Sequence, residues 1–241
     1  MTLVKPYQNQ EDSKKVQVEQ MFDSISSEYD RLNRVISFGI DLKWRKKVVK
    51  MAFELAPDQV LDVATGTGDL VLAMRNCGAS RIVGLDLSPG MLAVGTEKVK
   101  RAGADSLVEM VIGDSENLNF ESETFDLITV AFGIRNFENL NKGLSEMLRV
   151  LKTGGTLIIL ETSVPSRFPF KQLYLSHSNL ILPLIGKLFS KNQSAYRYLG
   201  NSAQQFPYGE ALNNILSEIG FKNAKANPQT FGVATIYSAQ K

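Results

Sequence analysis

Val60-Leu-Asp-Val-Ala-Thr-Gly-Thr-Gly-Asp69 decides the fold. An apolar, β-branched run enters a glycine-rich turn, and a helical pattern over Asp69–Asn76 leaves it. Glycines in such a turn let a ligand approach the backbone closely. On either side of this unit, short runs rich in Val, Ile and Leu recur: Val60–Ala64, Arg81–Leu87, Val108–Gly113, Phe125–Phe132 and Gly155–Thr162. Helical patterns separate them at Asp69–Asn76, Ser88–Ala102 and Asn139–Leu151. Strand–helix alternation predicts an α/β, Rossmann-like fold, a mostly parallel central sheet with helices on both faces. Runs apolar at every residue, such as Leu157–Leu160, suit strands buried on both sides.

The carboxyl end of the first strand is where open α/β sheets bind ligands. Eighteen residues after Gly68 stands Asp86, closing the second strand, where a carboxylate can accept both hydroxyls of a ribose. A tight turn with an unrelated surface Asp is the bland alternative; the coincidence of turn, acid and spacing weighs against it. A dinucleotide fingerprint wants a third glycine where this chain has Val71, so a pyrophosphate-binding loop is poorly supported. Asp62, inside the first strand, suits instead the cationic amino group of S-adenosylmethionine. Asp114, in Gly113-Asp-Ser-Glu116 after the third strand, can accept from an adenine amino group or simply start a turn.

Composition narrows the class. At ~150 residues per domain, 241 residues suit one large domain, or one with a lid. Lys and Arg number 27 against 25 Asp and Glu, net +2, which disfavours a polyanion binder and hence nucleic acid as a partner. One cysteine, Cys77, precludes an intramolecular disulfide, and with one histidine, His177, an all-protein metal site is not expected. The polar start, Met1 to Lys15, lacks the apolar core of a signal peptide. The apolar stretch Asn179–Phe189 is shorter than the ~20 residues of a bilayer span. The expectation is a cytoplasmic protein, at most peripheral at the inner face of a membrane.

Around the cofactor-binding core, 58–163, the pattern predicts a helical cover over 1–57, a lid over 164–206, and a helix with two strands over 207–241. In the cover, Ser13 caps a helix through Val16, Gln20 and Ser24, and a basic helix runs from Asp41 through Lys50 to Pro57. Broken helical character marks Phe168–Tyr174 and Ser176–Leu182; a Pro-started helix after Phe206 runs to Ile219, before strands at Lys222–Pro228 and Gly232–Gln240. Residues 162–209 contain no Asp or Glu, where the chain average gives about five, and hold 8 of the 21 aromatics.

Taken together, several stretches resemble a known family. These are Tyr29-Asp-Arg-Leu-Asn33 with Ser37 and Trp44, the glycine motif, Phe132-Gly-Ile-Arg-Asn136, Arg149-Val-Leu-Lys-x-Gly-Gly155 with Glu161-x-Ser163, and Ala195-Tyr-Arg-Tyr-Leu199. From about Lys14 to the C-terminus the chain is similar to class I S-adenosylmethionine-dependent methyltransferases, specifically the menaquinone and ubiquinone biosynthesis C-methyltransferases that act on prenylated quinols. The glycine motif is shared by many methyltransferases, whereas the N-terminal box, Gly-Ile-Arg-Asn and Tyr-Arg-Tyr-Leu together are specific. The chain departs from the family pattern at Asp41, where a His is usual, at Leu32 for Met, at Thr153 in the Lys-Pro-Gly-Gly turn, and at Ala64 for the first glycine of the general motif.

The resemblance implies methyl transfer to an aromatic carbon of a lipid-soluble quinol, either demethylmenaquinol or the benzoquinol precursor of ubiquinone. It places cofactor contacts at Asp62, Gly66, Thr67, Gly68, Asp86, Asp114, Ser115 and Ala131. A quinol hydroxyl, pKa ~10, must lose its proton to push electron density into the ring. Arg135 is expected to favour the phenolate, Asn136 to orient the same oxygen, and Tyr29 to close over the cofactor with Asp30. The base stays open among Tyr29, Asp41, His177 and a water held by Arg135. His177 suits by pKa, but its place in a lid pattern favours mere packing.

A bilayer-borne quinol would also explain the acid-free segment, with Lys187, Lys191 and Arg197 facing anionic lipid; an amphipathic lid buried on the sheet is the plainer alternative. The basic run Lys43, Arg45, Lys46, Lys47 and Lys50 reads as the solvated face of a helix. Of the rivals, a dehydrogenase is disfavoured by Val71, a nucleic-acid methyltransferase by the +2 charge, and a non-catalytic cofactor-binding subunit by Arg135-Asn136, which it would leave without purpose. The oligomeric state, monomer or homodimer, is not legible.

Overall fold

The computed structural model describes residues 4–7, 10–181 and 193–241. Strands β1 (Gln59–Val63), β2 (Arg81–Asp86), β3 (Val108–Ile112), β4 (Phe125–Ala131), β5 (Leu151–Thr162), β6 (Lys222–Gln229) and β7 (Ala234–Gln240) form one sheet in the order β3-β2-β1-β4-β5-β7-β6. The first five pair in parallel. β7 enters antiparallel between β5 and β6, so the C-terminal pair is a hairpin joined to the parallel edge.

The helices are α1 (Lys14–Ile25), α2 (Tyr29–Ile36), α3 (Ile40–Leu55), α4 (Asp69–Met74), α5 (Pro89–Arg101), α6 (Leu140–Val150), α7 (Phe170–Ser176), α8 (Gln193–Gln205) and α9 (Glu210–Ile219). Ser13 caps α1 as expected, accepting from the Val16 N–H. Alternate residues of β1 part to the two faces: Leu61 and Val63 pack with α6 and α9 through Leu144, Met147, Leu212 and Leu216, and Val60 packs with α3 and α4 through Val48, Leu70 and Met74. A third cluster holds the cover to α5 and α8: Met21, Ile25 and Leu32 lie with Met91, Ala195, Tyr196 and Tyr198.

One expectation needs correction, the start of the helix after Phe206. Within the helical cover, residues 29–36 form a helix of their own, set by Arg34 and Asp30 pairing with neighbouring helices. Within the expected lid, α8 is a full helix whose Tyr196 and Tyr198 are buried against the cover. The helix after Phe206 begins at Glu210, because Gly209, φ +63, breaks the chain direction and gives its N–H to the Tyr237 hydroxyl at 2.8 Å. Lys187 and Lys191 lie outside the described residues; Arg197 is exposed.

Candidate active site

Strand order reverses between β1 and β4, since β2 and β3 lie on one side and β5 on the other. At such a switch point the two loops diverge and leave a crevice. Ala64 after β1 and Phe132 after β4 both sit at positive φ, +53 and +61, a conformation that costs a non-glycine residue ~1–2 kcal/mol. Gly133 is forced by close approach: a Cβ there would stand 2.5 Å from the Cβ of Ala64.

Two cavities open beside this pinch. The first is a concave cleft between the strand ends and the helical cover, the kind of place where small molecules bind. Its walls include Gly66, Asp86, Asp114, Ser115 and Ala131 from the strand ends, facing Lys15, Val18 and Phe22 of α1. One Asp86 oxygen accepts the Gly66 N–H at 2.7 Å and the other the Ser88 N–H at 2.9 Å, so each keeps a lone pair for a further donor. Burial pushes this carboxyl above its ordinary range, against the pull of those N–H groups. Asp114 accepts from the Lys15 ammonium at 2.7 Å, which ties the cover to the end of β3. The buried Asn136 amide oxygen also belongs to this wall and has no partner among the described residues.

Three expected cofactor contacts stand behind this wall rather than in it. Asp62, 1% exposed, gives its two oxygens to the hydroxyls of Thr65 at 2.7 Å and Thr129 at 2.5 Å. Burial lifts its carboxyl to about 6. The Thr67 hydroxyl donates to Asp30 at 2.6 Å, and Gly68, φ +76, starts α4. These groups shape the loop that presents Gly66.

The second cavity shares only Tyr29 and Phe132 with the first. The cover and lid helices contribute Trp44, Arg45, Tyr174 and His177 to it, and the loop after β4 contributes Arg135. Arg135 and Asn136, expected on one oxygen, therefore face different cavities. Arg135 donates to Glu161 at 2.5 Å and to the Phe132 carbonyl at 2.9 Å; the two charged side chains are 8% and 1% exposed. Arg45 covers the Phe132 ring, 5.2 Å from its centroid, and Trp44 tilts against the same ring. Burial raises the Tyr29 hydroxyl above its ordinary pKa, which keeps it a neutral donor. Asp41, where the resemblance leads one to expect His, is buried and accepts from Ser37 at 2.6 Å and from Arg34, which also reaches Asp69.

Sequence reasoning missed two of these groups. Arg45 was read with a solvated face, yet Lys43, Lys46, Lys47 and Lys50 are exposed while the Arg45 side chain turns inward, 13% exposed, one helical turn from Asp41. The i, i+4 spacing of Asp41 and Arg45 was the available signal. Glu161 was read as part of a motif without a role. Its pairing with Arg135 follows from the register Ala131↔Leu160, which sets the turn after β4 beside the end of β5.

Comparison with known proteins decides the family. The profile of the ubiE/COQ5 methyltransferase family matches residues 9–241. The chain belongs to the ubiE/COQ5 methyltransferase family. It is 48% identical over 239 residues to a Bacteroides fragilis protein named demethylmenaquinone methyltransferase, covering 99% of this chain and 97% of that one. With a Geobacter sulfurreducens protein named ubiquinone/menaquinone biosynthesis C-methyltransferase UbiE it shares 44% over 226 residues, 93% and 88% of the two chains.

Among solved structures, a SAM-dependent methyltransferase from Aquifex aeolicus superposes with TM-score 0.56 at 19% identity, over 81% of this chain and 88% of that one. The [4+2]-cyclase SpnF gives 0.60 at 15%, over 94% and 96%. At these identities the likeness shows the fold alone. The protein is thus an S-adenosylmethionine-dependent methyltransferase by family, and its first cavity suits that cofactor: a carboxylate with spare lone pairs, a glycine backbone beside it, and an unpartnered amide oxygen. Among the described residues no group of acidic, His or Cys side chains could hold a metal ion, and no helix is long and apolar enough to cross a membrane.

Proposed function

We propose that this methyltransferase places a methyl group on a ring carbon of demethylmenaquinol, completing menaquinol. The observation that carries the reading is the pair of cavities meeting at Tyr29 and Phe132, one lined by strand ends and carrying the Asp86 and Asp114 carboxylates, the other roofed by aromatic and apolar side chains around a buried arginine. A flat aromatic diol with an apolar tail suits the second cavity. Kinship to enzymes bearing that name over nearly the whole chain supports the same substrate.

Bound S-adenosylmethionine supplies an electrophilic methyl group on its sulfonium. In this reading Asp86 takes the ribose hydroxyls, Asp114 and Ser115 the adenine, and Gly66 and Ala131 line the path of the methionine part. Asp62, Thr67 and Gly68 fix the loop from behind. Tyr29 and Phe132 set the approach of the ring to the methyl group, and in-line positioning supplies much of the acceleration. Arg135 favours the phenolate, its guanidinium held in place by Glu161. Asn136, on the cofactor side, is assigned to the cofactor rather than to the quinol oxygen.

The substrate's tail places the protein at a membrane surface. Phe38, Phe168, Leu173 and Leu180 are 62–80% exposed, and they lie on the α2–α3 turn, on α7 and beside it, the elements around the second cavity. Apolar side chains of this kind sit well at a lipid interface. The deciding experiment is methylation by purified protein with labelled S-adenosylmethionine. Demethylmenaquinol is expected to be labelled and Arg135→Ala to lose activity at least a hundredfold. Labelling of the benzoquinol precursor alone would reassign the substrate, and labelling of neither would end the claim.

A further inference from the structure

The second cavity contains the chain's only imidazole, and its surroundings are unusual for a packing residue. His177 follows α7 and lines the cavity. The Ile36 backbone faces the ring, while Nε2 is shielded from water and has no partner among the described residues. With the ring proton on Nδ1, Nε2 carries a free lone pair. Phe38 flanks the ring at 6.0 Å. A buried nitrogen acceptor left unmet ordinarily costs stability, so its retention beside an aromatic-sized cavity asks for a donor that arrives with a ligand.

We infer that His177 is the general base that takes the hydroxyl proton of the quinol. The inference rests on the proposed substrate. The proton passes to Nε2, and the oxygen's electron pair moves through the ring to the attacking carbon as that carbon takes the methyl group; the cleaved C–S pair stays on sulfur. The carbon's own hydrogen then leaves to solvent as a proton, restoring the aromatic ring, and the imidazolium returns its proton to the oxygen. One proton is released per turnover.

The other titratable and charged groups facing this cavity suit the assignment. Arg45 and Arg135 are cations, which favour the phenolate and cannot themselves take its proton. The Tyr29 and Tyr174 hydroxyls are raised by burial and stay protonated. Asp41 is engaged by Arg34 and Ser37. Burial lowers the imidazole from its ordinary value, so the basic form prevails at neutral pH.

Two measurements test this. In wild-type protein freed of any tag, the single imidazole gives one assignable Hε1 NMR signal. Its titration is expected to lie below the ordinary histidine value and to move when 2,3-dimethyl-1,4-naphthoquinol, a ring with no free carbon to methylate, is added under reducing conditions. The pH profile of kcat is expected to fall on the acid side with that same pKa. His177→Gln should lower kcat about a hundredfold, the order of general base catalysis, and abolish that limb, with S-adenosylmethionine affinity unchanged. A His177→Gln enzyme within threefold of wild type with the same acid limb would overturn the assignment, as would an imidazole signal indifferent to the diol. A wild-type protein inactive on demethylmenaquinol would refute the substrate instead, and the NMR arm would still report whether His177 meets an aromatic diol.

Discussion

The two cavities are built in opposite ways. The first is made mostly of strand ends and the backbone of one loop, positioned by a parallel sheet whose inner residues are almost fully buried. The second is made mostly of side chains on α2, α3, α7 and α8, brought in from segments far apart in sequence. Its charged groups are cross-braced: Arg135 by Glu161, Asp41 by Arg34, and Arg34 and Lys98 by Asp69. A common cofactor is met by a rigid frame, and a particular acceptor by an assembly of helices.

That difference predicts where damage spreads. Glu161→Gln removes one partner of a buried pair and leaves Arg135 charged without compensation, which typically costs ~3–5 kcal/mol. For a chain of this size that corresponds to a melting temperature lower by roughly 6–20 °C, and calorimetry would measure it. If the variant melts with the wild type, the pair is not holding the second cavity together. Asp86→Ala should act on the first cavity alone. Loss of a hydrogen-bonding charge is worth ~1.5–3 kcal/mol, so calorimetric titration should show S-adenosylmethionine binding weakened by roughly 10- to 150-fold, with no change in quinol affinity. Equal weakening of both ligands would mean that the cavities are coupled rather than separately built.

The contrast also explains what could be read from sequence. The strand–turn–helix of Val60–Asp69 and Asp86 at the next strand end are local signals, set by short apolar runs and by glycine, and the structure has them where the pattern puts them. Glu161 and His177 carry no such local mark, because their meaning comes from tertiary placement, and Arg45 carries only its i, i+4 spacing from Asp41. Asp62 shows the same limit: a carboxylate in a strand can face the crevice or the sheet, and here it accepts from Thr65 and Thr129. The acid-free segment averaged two environments. Its Tyr196 and Tyr198 are 1% and 2% exposed, whereas Phe168 is 80% exposed.

Only the outward half of that segment should matter to a lipid surface. Replacing Phe168 and Leu180 together by Ser should weaken binding to vesicles by about tenfold, a modest loss because each side chain is only partly withdrawn from water. Vesicle sedimentation would show it, and undiminished binding would mean that these side chains do not meet the membrane. Methylation of a short-tailed, water-soluble quinol should be unaffected.

The smallest effect separates a wall residue from one that stands behind it. Burial lifts the Asp62 carboxyl from 3.8 to about 6. Between those values the folded protein binds a proton that the unfolded chain does not, so stability falls as pH rises through this window and the burden is complete above it. From pH 5 to pH 7 a single group with this shift removes about 1 kcal/mol. Asp62→Asn carries no such term, and other groups titrate alike in both proteins. Urea unfolding at the two pH values should therefore show the variant gaining about 1 kcal/mol on the wild type at pH 7 relative to pH 5. A difference independent of pH would mean that Asp62 keeps its charge across the window, as a carboxylate reaching the cofactor's ammonium from the wall itself would do.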